Sequence, residues 1–398
     1  MSEANGQSMG LKNPFDGWKS IVISLYMTLI GYGVLVGIPV ISTAWVTLMG
    51  FSEVEVGRVA GADLGGLSLG AVVTAIFIGK VNRRILALIG LSLAVLANAL
   101  CISVVDYDQV LWLRLLSGIG SGIYTAVAVS SLGASSKPAR AYNAMLFAFA
   151  FSQALEMHFL PLLSMAGIYT AFIVGFLLTI PFLGWIPTQS SSDTVADVVN
   201  DDSMTQAIPK FVPWLCLAAM VVTYTNIGAY WTYIELAASS DQADAEWVGQ
   251  ILTWASFCSL VGCLFATVLS NRYGLLRPLL VTLTTMAVIV GMLANGITDK
   301  NILISVFSFN CLWIFIDVYQ MSTIANVDKT GRFAALMPGA QGLGQIIGPN
   351  LAASILGANL GYSGVFIMCA GAALLAMIMY AFLYLRFRRT IPALAYAT

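Results

Sequence analysis

The sequence predicts an all-α membrane protein: twelve transmembrane helices in two parallel six-helix bundles, related by a pseudo-two-fold axis along the membrane normal. Three observations predict this. The chain has 398 residues, of which 59% are apolar and only 9% charged, against about 25% charged in a soluble domain. Breaks at charges, proline and glycine divide it into twelve apolar stretches. The two halves also repeat at one constant offset. Together these exclude a soluble enzyme, a secreted disulfide scaffold and a disordered chain. A net charge of -1 gives no support to nucleic-acid binding.

The spans lie near 20–48, 54–79, 84–104, 109–133, 139–164, 166–186, 211–238, 246–270, 276–296, 300–325, 331–357 and 361–385. Each is long enough to cross a bilayer as a helix, and lipid offers the backbone no other hydrogen-bond partners. Residues 1–18 are polar, and the first apolar run of about 28 residues exceeds a signal-peptide core, so it stays as a span. Residues 187–210 read as a polar linker between a bundle over 1–186 and a bundle over 211–398. The six cysteines sit in apolar runs without ligand spacing, as small buried side chains do.

Orientation follows from Lys and Arg. With both termini inside, fifteen basic residues fall on the inner segments, and only Arg58 and Lys300 on the outer loops. That is a strong positive-inside bias, and it predicts a multi-pass protein of the inner membrane with cytoplasmic termini. A shift of 192 residues superposes Tyr32 on Tyr224, Lys80 on Arg272, Lys137 on Lys329, Arg140 on Arg332, Met145 on Met337 and Gln153 on Gln345. An even number of spans per half keeps the two halves parallel.

Three local signatures carry a family resemblance. The loop Leu269-Ser270-Asn271-Arg272-Tyr273-Gly274-Leu275-Leu276-Arg277 is similar to a G-x-x-x-D-R-x-G-R-R motif, with Asn271 in place of Asp. Gly79-Lys80-Val81-Asn82-Arg83-Arg84 is its basic counterpart in the first half. Arg114-Leu115-Leu116-Ser117-Gly118-Ile119-Gly120 resembles R-x-x-x-G-x-G, and Gly344-Gln345-Ile346-Ile347-Gly348-Pro349 resembles G-x-x-x-G-P. On these the chain is identified as a member of the major facilitator superfamily over nearly its whole length. Span five lacks the glycine–proline signature that drug antiporters carry there. The resemblance implies a central cavity, with spans three, six, nine and twelve outside it. It also implies gating by Arg83, Arg272, Gly348 and Pro349.

Six ionisable residues fall within spans: Asp63, Arg114, Glu156, His158, Glu235 and Asp317. A charge inside a bilayer costs several kcal/mol unless paired or wetted, so each is a functional candidate. Arg114, Glu156 and Asp63 lie roughly 8, 12 and 14 Å below the outer ends of their spans. That depth suggests one Arg–carboxylate cluster for proton coupling, with a permanent ion pair as the alternative. Arginine keeps its proton, so a carboxyl must switch. His158 is about 200° around the helix from Glu156 and cannot share a metal with it.

Two polar stripes mark the second half. Tyr224, Gly228, Trp231 and Glu235 follow one helical face of span seven, and Asn310, Trp313, Asp317 and Gln320 follow one face of span ten. Trp231, Glu235, Asn310, Trp313, Asp317 and Gln320, with Tyr32, Tyr124, Gln153, Gln341 and Gln345, form the expected substrate-binding set. Gly61, Gly65, Gly66 and Gly70, and Gly339, Gly342, Gly344 and Gly348, allow close helix approach.

The expectation is a proton-coupled secondary transporter working by alternating access. Four acids against one arginine favour export of small amphipathic neutral or cationic compounds by proton antiport. The alternative is proton symport of a small organic acid clamped by Arg114. No nucleophile–base pair or metal cluster points to an enzyme. The expected partners are a small-molecule substrate, protons and the bilayer, with no cofactor and no nucleic acid, and the chain is expected to act as a monomer.

Overall fold

The computed structural model describes residues 13–188, 209, 211–269, 272–327 and 332–388. Every regular element among them is helical. Span one is split where α1 (Trp18–Gly31) meets α2 (Gly33–Met49) at Tyr32. Glycines flank this break, and each weakens a helix interior by roughly 1 kcal/mol relative to Ala. Gly50 ends α2 at a φ of 73°, the left-handed cap that glycine adopts without strain. A capping box between Ser52 and Glu55 opens α3 (Glu53–Phe77).

Next come α4 (Arg83–Ser103), α5 (Tyr107–Gly133), α6 (Pro138–Phe159) and α7 (Met165–Leu177). Pro161 does not kink a longer helix; α6 stops before it in a tight turn over Leu160–Leu162. The second half holds α8 (Phe211–Ser240), α9 (Ala245–Ala255), α10 (Cys258–Leu269), α11 (Leu276–Gly291), α12 (Asp299–Val327), α13 (Arg332–Gly357) and α14 (Gly361–Phe387). Span eight is thus two helices, α9 and α10. The linker expected over 187–210 lies almost wholly outside the described residues.

Among the described residues, eleven segments are long and apolar enough to cross a membrane. α13 supplies the twelfth span. Its 26 residues suffice in length, but Gln341, Gln345, Asn350 and two prolines dilute its hydropathy. The reason is its position between α3 and α8. Its polar and small residues Gln345, Gly344 and Gly348 are buried against protein, while Leu343, Ile347 and Leu351 are exposed on the other face.

The chain forms the two expected bundles. α3 packs most extensively on α5 in the first, and α8 on α13 in the second. The glycines of α3 divide their work. Gly66 and Gly70 face α5, where a Cβ at Gly66 would collide with the Leu115 carbonyl oxygen. Gly61 and Gly65 instead face α13 of the other half, against Asn350 and Ile346.

Call the end where α1 begins and α14 finishes the terminal end, and its opposite the far end. Hydrogen bonds described between the halves gather from mid-depth to the far end. Arg58 donates to the Asn350 carbonyl oxygen at 3.2 Å, to Asn350 Oδ1 at 2.9 Å and to Ser354 Oγ at 3.0 Å. Tyr233 Oη donates to the Glu53 carbonyl oxygen at 2.7 Å, and Trp231 Nε1 to the Val36 carbonyl oxygen at 3.3 Å. The deepest, from Gln153 Nε2 to Asn310 Oδ1, is 3.1 Å long.

Candidate functional site

The intramembrane charges separate into two unlike environments. In the first half, Arg114 on α5 is fully buried. Its Nε donates to Asp63 Oδ2 at 2.8 Å, its Nη2 pairs with the same oxygen, and its Nη1 donates to Asn98 Oδ1 at 2.8 Å. Asn98 is held in turn by Ser117 Oγ at 3.0 Å and the Ala94 carbonyl oxygen at 2.8 Å. The guanidinium lies 5.5 Å from the Tyr169 ring, and Trp45 Nε1 donates to Tyr169 Oη at 3.0 Å. This is a closed network of satisfied polar groups inside one bundle. Sequence reasoning missed Asn98, Ser117, Tyr169 and Trp45; the amide of Asn98 in an otherwise apolar span was the available signal.

Glu156 does not join that cluster. It sits on α6 against span one, where Cβ atoms at Gly33 and Gly37 would lie 3.3 Å from its Oε1 and 2.6 Å from its Oε2. Its one described hydrogen bond comes from Ser152 Oγ at 3.3 Å, and Oε2 is buried without a partner. Phe149, Gln153 and Glu156 repeat at i, i+4, i+7, one face of α6 turned toward span one and α12. Phe149 packs on Tyr32 at 5.3 Å between ring centroids, and Gln153 bonds Asn310.

Asp317 on α12 faces the same region from the other half. Tyr224 Oη and Gln341 Nε2 both donate to its Oδ1 at 2.8 Å, the two hydrogen bonds described for this carboxylate. Tyr32 lies within electrostatic reach of Asp317 and of Tyr224. Of the two repeat-related tyrosines, Tyr224 bonds Asp317 and Tyr32 lies within its electrostatic reach. Tyr32, Glu156, Asp317 and Gln341 are each part-exposed; Glu156 lies three residues before the end of α6 and Tyr32 at the break between α1 and α2. Trp313 and Phe309 pack on Trp231, at 6.1 and 5.9 Å between ring centroids, on the far-end side of Asp317.

Several expected residues stand elsewhere. Gln320 is buried inside the second bundle, where its Nε2 donates to Thr223 Oγ1 at 2.7 Å. Tyr124 is buried inside the first bundle, bonded to Thr179 Oγ1 at 2.5 Å and packed on Phe176. Gln320 shares a face of α12 with Asp317, but that one face spans two environments along its length. Gln345 packs against Gly228 between α13 and α8. Glu235 lies near the far end with Oε2 buried and unbonded. His158 is exposed, with Phe159 beside it.

Of the expected gating residues, Arg83 is held within the first half, donating to Ser131 Oγ at 2.9 Å and lying 4.6 Å over Phe15. Arg272 is exposed at the terminal end, and Asn271 lies outside the described residues. Gly348 packs on the Thr225 carbonyl oxygen of α8, and the Pro349 carbonyl oxygen would lie 2.7 Å from a Cβ at Gly57 of α3. Among the described residues no group of His, Cys, Asp and Glu could hold a metal ion.

The sequence profile of the Major Facilitator Superfamily matches residues 22–349. The chain belongs to that family. It is a multi-pass membrane transporter of small molecules, not an enzyme. Solved structures of other transporters share its fold. The nucleoside transporter NupG is 10% identical, with a TM-score of 0.70, over 92% of this chain and 98% of that one. A point mutant of NupG is 9% identical, with a TM-score of 0.70, over 92% of this chain and 99% of that one. A D-xylose-proton symporter is 14% identical, with a TM-score of 0.71, over 92% of this chain and 97% of that one. Curated protein sequences give no significant match.

Proposed function

We propose that this transporter couples its substrate to protons through Glu156 and Asp317, and that it exports small amphipathic neutral or cationic compounds by proton antiport. The observation that carries the reading is the division of charge. The intramembrane arginine is consumed by Asp63 and Asn98, whereas Glu156 and Asp317 are part-exposed and have neutral donors as their described partners. A carboxylate in that setting is stabilised by a proton or by a cationic substrate. Competition of the two for one site is the simplest route to antiport. Trp313 and Tyr224 add aromatic faces that attract cations. In this reading the protein acts as a monomer in the inner membrane, with its termini cytoplasmic, and the two bundles rock as units about the linker.

The division of charge also bears on the alternative. An organic acid clamped by Arg114 would have to reach a side chain that is 1% exposed and already bonded on Nε, Nη1 and Nη2. Proton symport of a neutral, hydrogen-bonding solute is a stronger second reading. Gln153, Asn310, Gln341 and Tyr224 offer donors and acceptors, and one fold neighbour is a D-xylose-proton symporter.

Proton movement in sealed proteoliposomes tests both. A panel of lipophilic cations, neutral solutes and aromatic acids is presented to the parent protein, Glu156→Gln and Asp317→Asn. Substrate-driven proton flux opposite to a cation, lost in Glu156→Gln, supports antiport. Flux in the same direction as a neutral solute replaces it with symport. Transport without proton flux that survives both substitutions sinks the coupling assignment.

A further inference from the structure

The internal repeat sets two unlike residues against each other on the far-end seam. Thr43 on α2 and Glu235 on α8 stand at the 192-residue offset that relates the halves. The Thr43 hydroxyl lies within hydrogen-bonding reach of the Glu235 carboxyl. Two positions related by a two-fold can touch only beside its axis, so this contact lies where the halves part or close. It sits one turn beyond Trp231, whose Nε1 donates to the Val36 carbonyl oxygen across the same seam at 3.3 Å. Thr43 Oγ1 and Glu235 Oε2 are both buried, and neither makes a hydrogen bond elsewhere among the described residues.

The surroundings supply no counter-charge. α8 packs on α2, α3, α9, α12, α13 and α14. α2 has no ionisable residue, and α13 has only Arg332, at its terminal end. α3 brings Glu53, Glu55 and Arg58 to the far end, but Arg58 is bonded three times to Asn350 and Ser354 of α13. α14 brings Tyr362, which packs on Tyr233 of α8. Tyr233 itself donates to the Glu53 carbonyl oxygen. α9 and α12 begin with Glu246, and with Asp299 and Lys300, all exposed. Among the described residues Glu235 forms no ion pair. An ionised carboxylate here would face one neutral hydroxyl and keep an oxygen without a donor, which a buried charge does not tolerate. The neutral acid carries an O–H of its own. Donated to Thr43 Oγ1, it satisfies both orphaned atoms at once.

We propose that Glu235 is a far-side proton site whose proton latches the far end shut: the acid O–H bonds Thr43 Oγ1 when the halves close, and the proton returns to far-side water when they part. It is a second proton position, separate from Glu156 and Asp317. Closure takes up one proton. By linkage, acid favours the closed far end and alkali the open one, and each pH unit changes the closed-to-open ratio by at most about tenfold. The inference rests on the rocking of the two halves proposed above, but not on Glu156, Asp317 or the substrate.

The test uses the full-length protein in nanodiscs, with spin labels at Val105 and Leu360, exposed positions of the two halves at the far end. Label distances give the closed-to-open ratio between pH 5 and pH 8. In the parent the ratio should fall by about tenfold or more across this range. Glu235→Gln keeps an N–H donor for Thr43 and cannot ionise, so its far end should stay closed with less than a twofold change. Thr43→Val keeps the shape but loses the acceptor, and should lower the closed fraction severalfold at pH 5. The double variant Glu156→Gln with Asp317→Asn should keep the parental pH response. A pH response that survives in Glu235→Gln overturns the site, and its loss in the double variant would place the sensor at the central carboxyls instead. Unchanged closure in Thr43→Val overturns the latch partner. A parent that moves protons with its substrate in proteoliposomes, yet has a far end blind to pH, overturns the latch and leaves the proposed coupling standing.

Discussion

Asp63, Glu156 and Asp317 are three carboxyl groups within the spans of one membrane protein, yet they live in different worlds. Asp63 is buried on α3 with an arginine on its Oδ2, and that arginine is held by an amide, a tyrosine ring and, through them, a hydroxyl and an indole. Glu156 has a single described hydrogen bond of 3.3 Å and one orphaned oxygen, and Asp317 has two neutral donors on one oxygen. The first arrangement closes on itself inside a bundle. The second leaves valence open, on Glu156 against span one and on Asp317 beside Tyr224 and Gln341. Ionisable residues within spans are thus not equivalent candidates. What distinguishes them is whether the surrounding network already satisfies them.

The sharpest way to break this comparison is Arg114→Ala. It leaves the Asp63 carboxylate buried without its cation, a change that costs about 3–5 kcal/mol in buried pairs. The variant should lose most of its folded yield, read as monodisperse protein after extraction and as a large fall in unfolding temperature. Replacing both partners, as in Asp63→Asn with Arg114→Gln, should recover a substantial part of the loss. Glu156→Gln should leave the unfolding temperature near the parental value while abolishing proton-coupled accumulation. If Glu156→Gln unfolds the protein and Arg114→Ala does not, the two environments have been assigned the wrong way round.

A smaller effect should follow at Asp317. Asp317→Asn keeps the shape and one acceptor oxygen but removes the charge. Loss of a charge-assisted contact of about 1.5–3 kcal/mol predicts a tenfold or greater fall in affinity for a cationic substrate, read by equilibrium binding. A neutral substrate should bind almost unchanged, so the same variant separates antiport of cations from symport of neutral solutes.

Gly37→Ala probes how tightly span one holds Glu156. The added Cβ would lie 2.6 Å from Oε2 and 3.2 Å from Leu160. Crowding of this kind costs about 1–3 kcal/mol, so the unfolding temperature should fall by a few degrees. The proton-coupled rate should fall with it if the notch positions the carboxyl. An unchanged rate would mean that Glu156 is free to turn away from span one.

Much of the fold was legible because its causes are one-dimensional. Span length, hydropathy, basic loops and the 192-residue offset all follow from single residues read in order. α13 shows the same logic at its limit, since its apolar lipid face and polar inner face average to a weak signal. The site was legible only in part. The periodicity of α12 put Gln320 on one face with Asp317, yet Gln320 bonds Thr223 inside its own bundle, as Tyr124 of α5 bonds Thr179 inside the first. Glu156 left the cluster that depth alone assigned to it. Depth and period do not say which neighbour a side chain meets. That is fixed by Gly33, Gly37, Gly61 and Gly65, whose missing side chains decide which helices approach.

The smallest effect belongs to an exposed carboxylate outside the spans, Asp16. Asp16, before α1, accepts from the Ser136 N–H at 2.7 Å and from Ser136 Oγ at 2.5 Å, while Asn13 Nδ2 donates to the Ala134 carbonyl oxygen at 2.9 Å. Ser136, through its hydroxyl and then its amide, and next Lys137 lower the Asp16 carboxyl below its ordinary value. A group whose folded value is lowered contributes stability above its unfolded value, near pH 4, and loses it as pH falls through the folded one. The latch should therefore be intact at neutral pH and release only in acid. Amide exchange at Ser136 should be slower in the parent than in Asp16→Asn at pH 6, and the two should converge below about pH 3. Global unfolding of the two proteins should be indistinguishable at neutral pH, because an exposed bond of this kind contributes little. Like the Asp63–Arg114 network, this latch joins elements of the first half only, so neither Asp16→Asn nor acid release should alter the far-end seam.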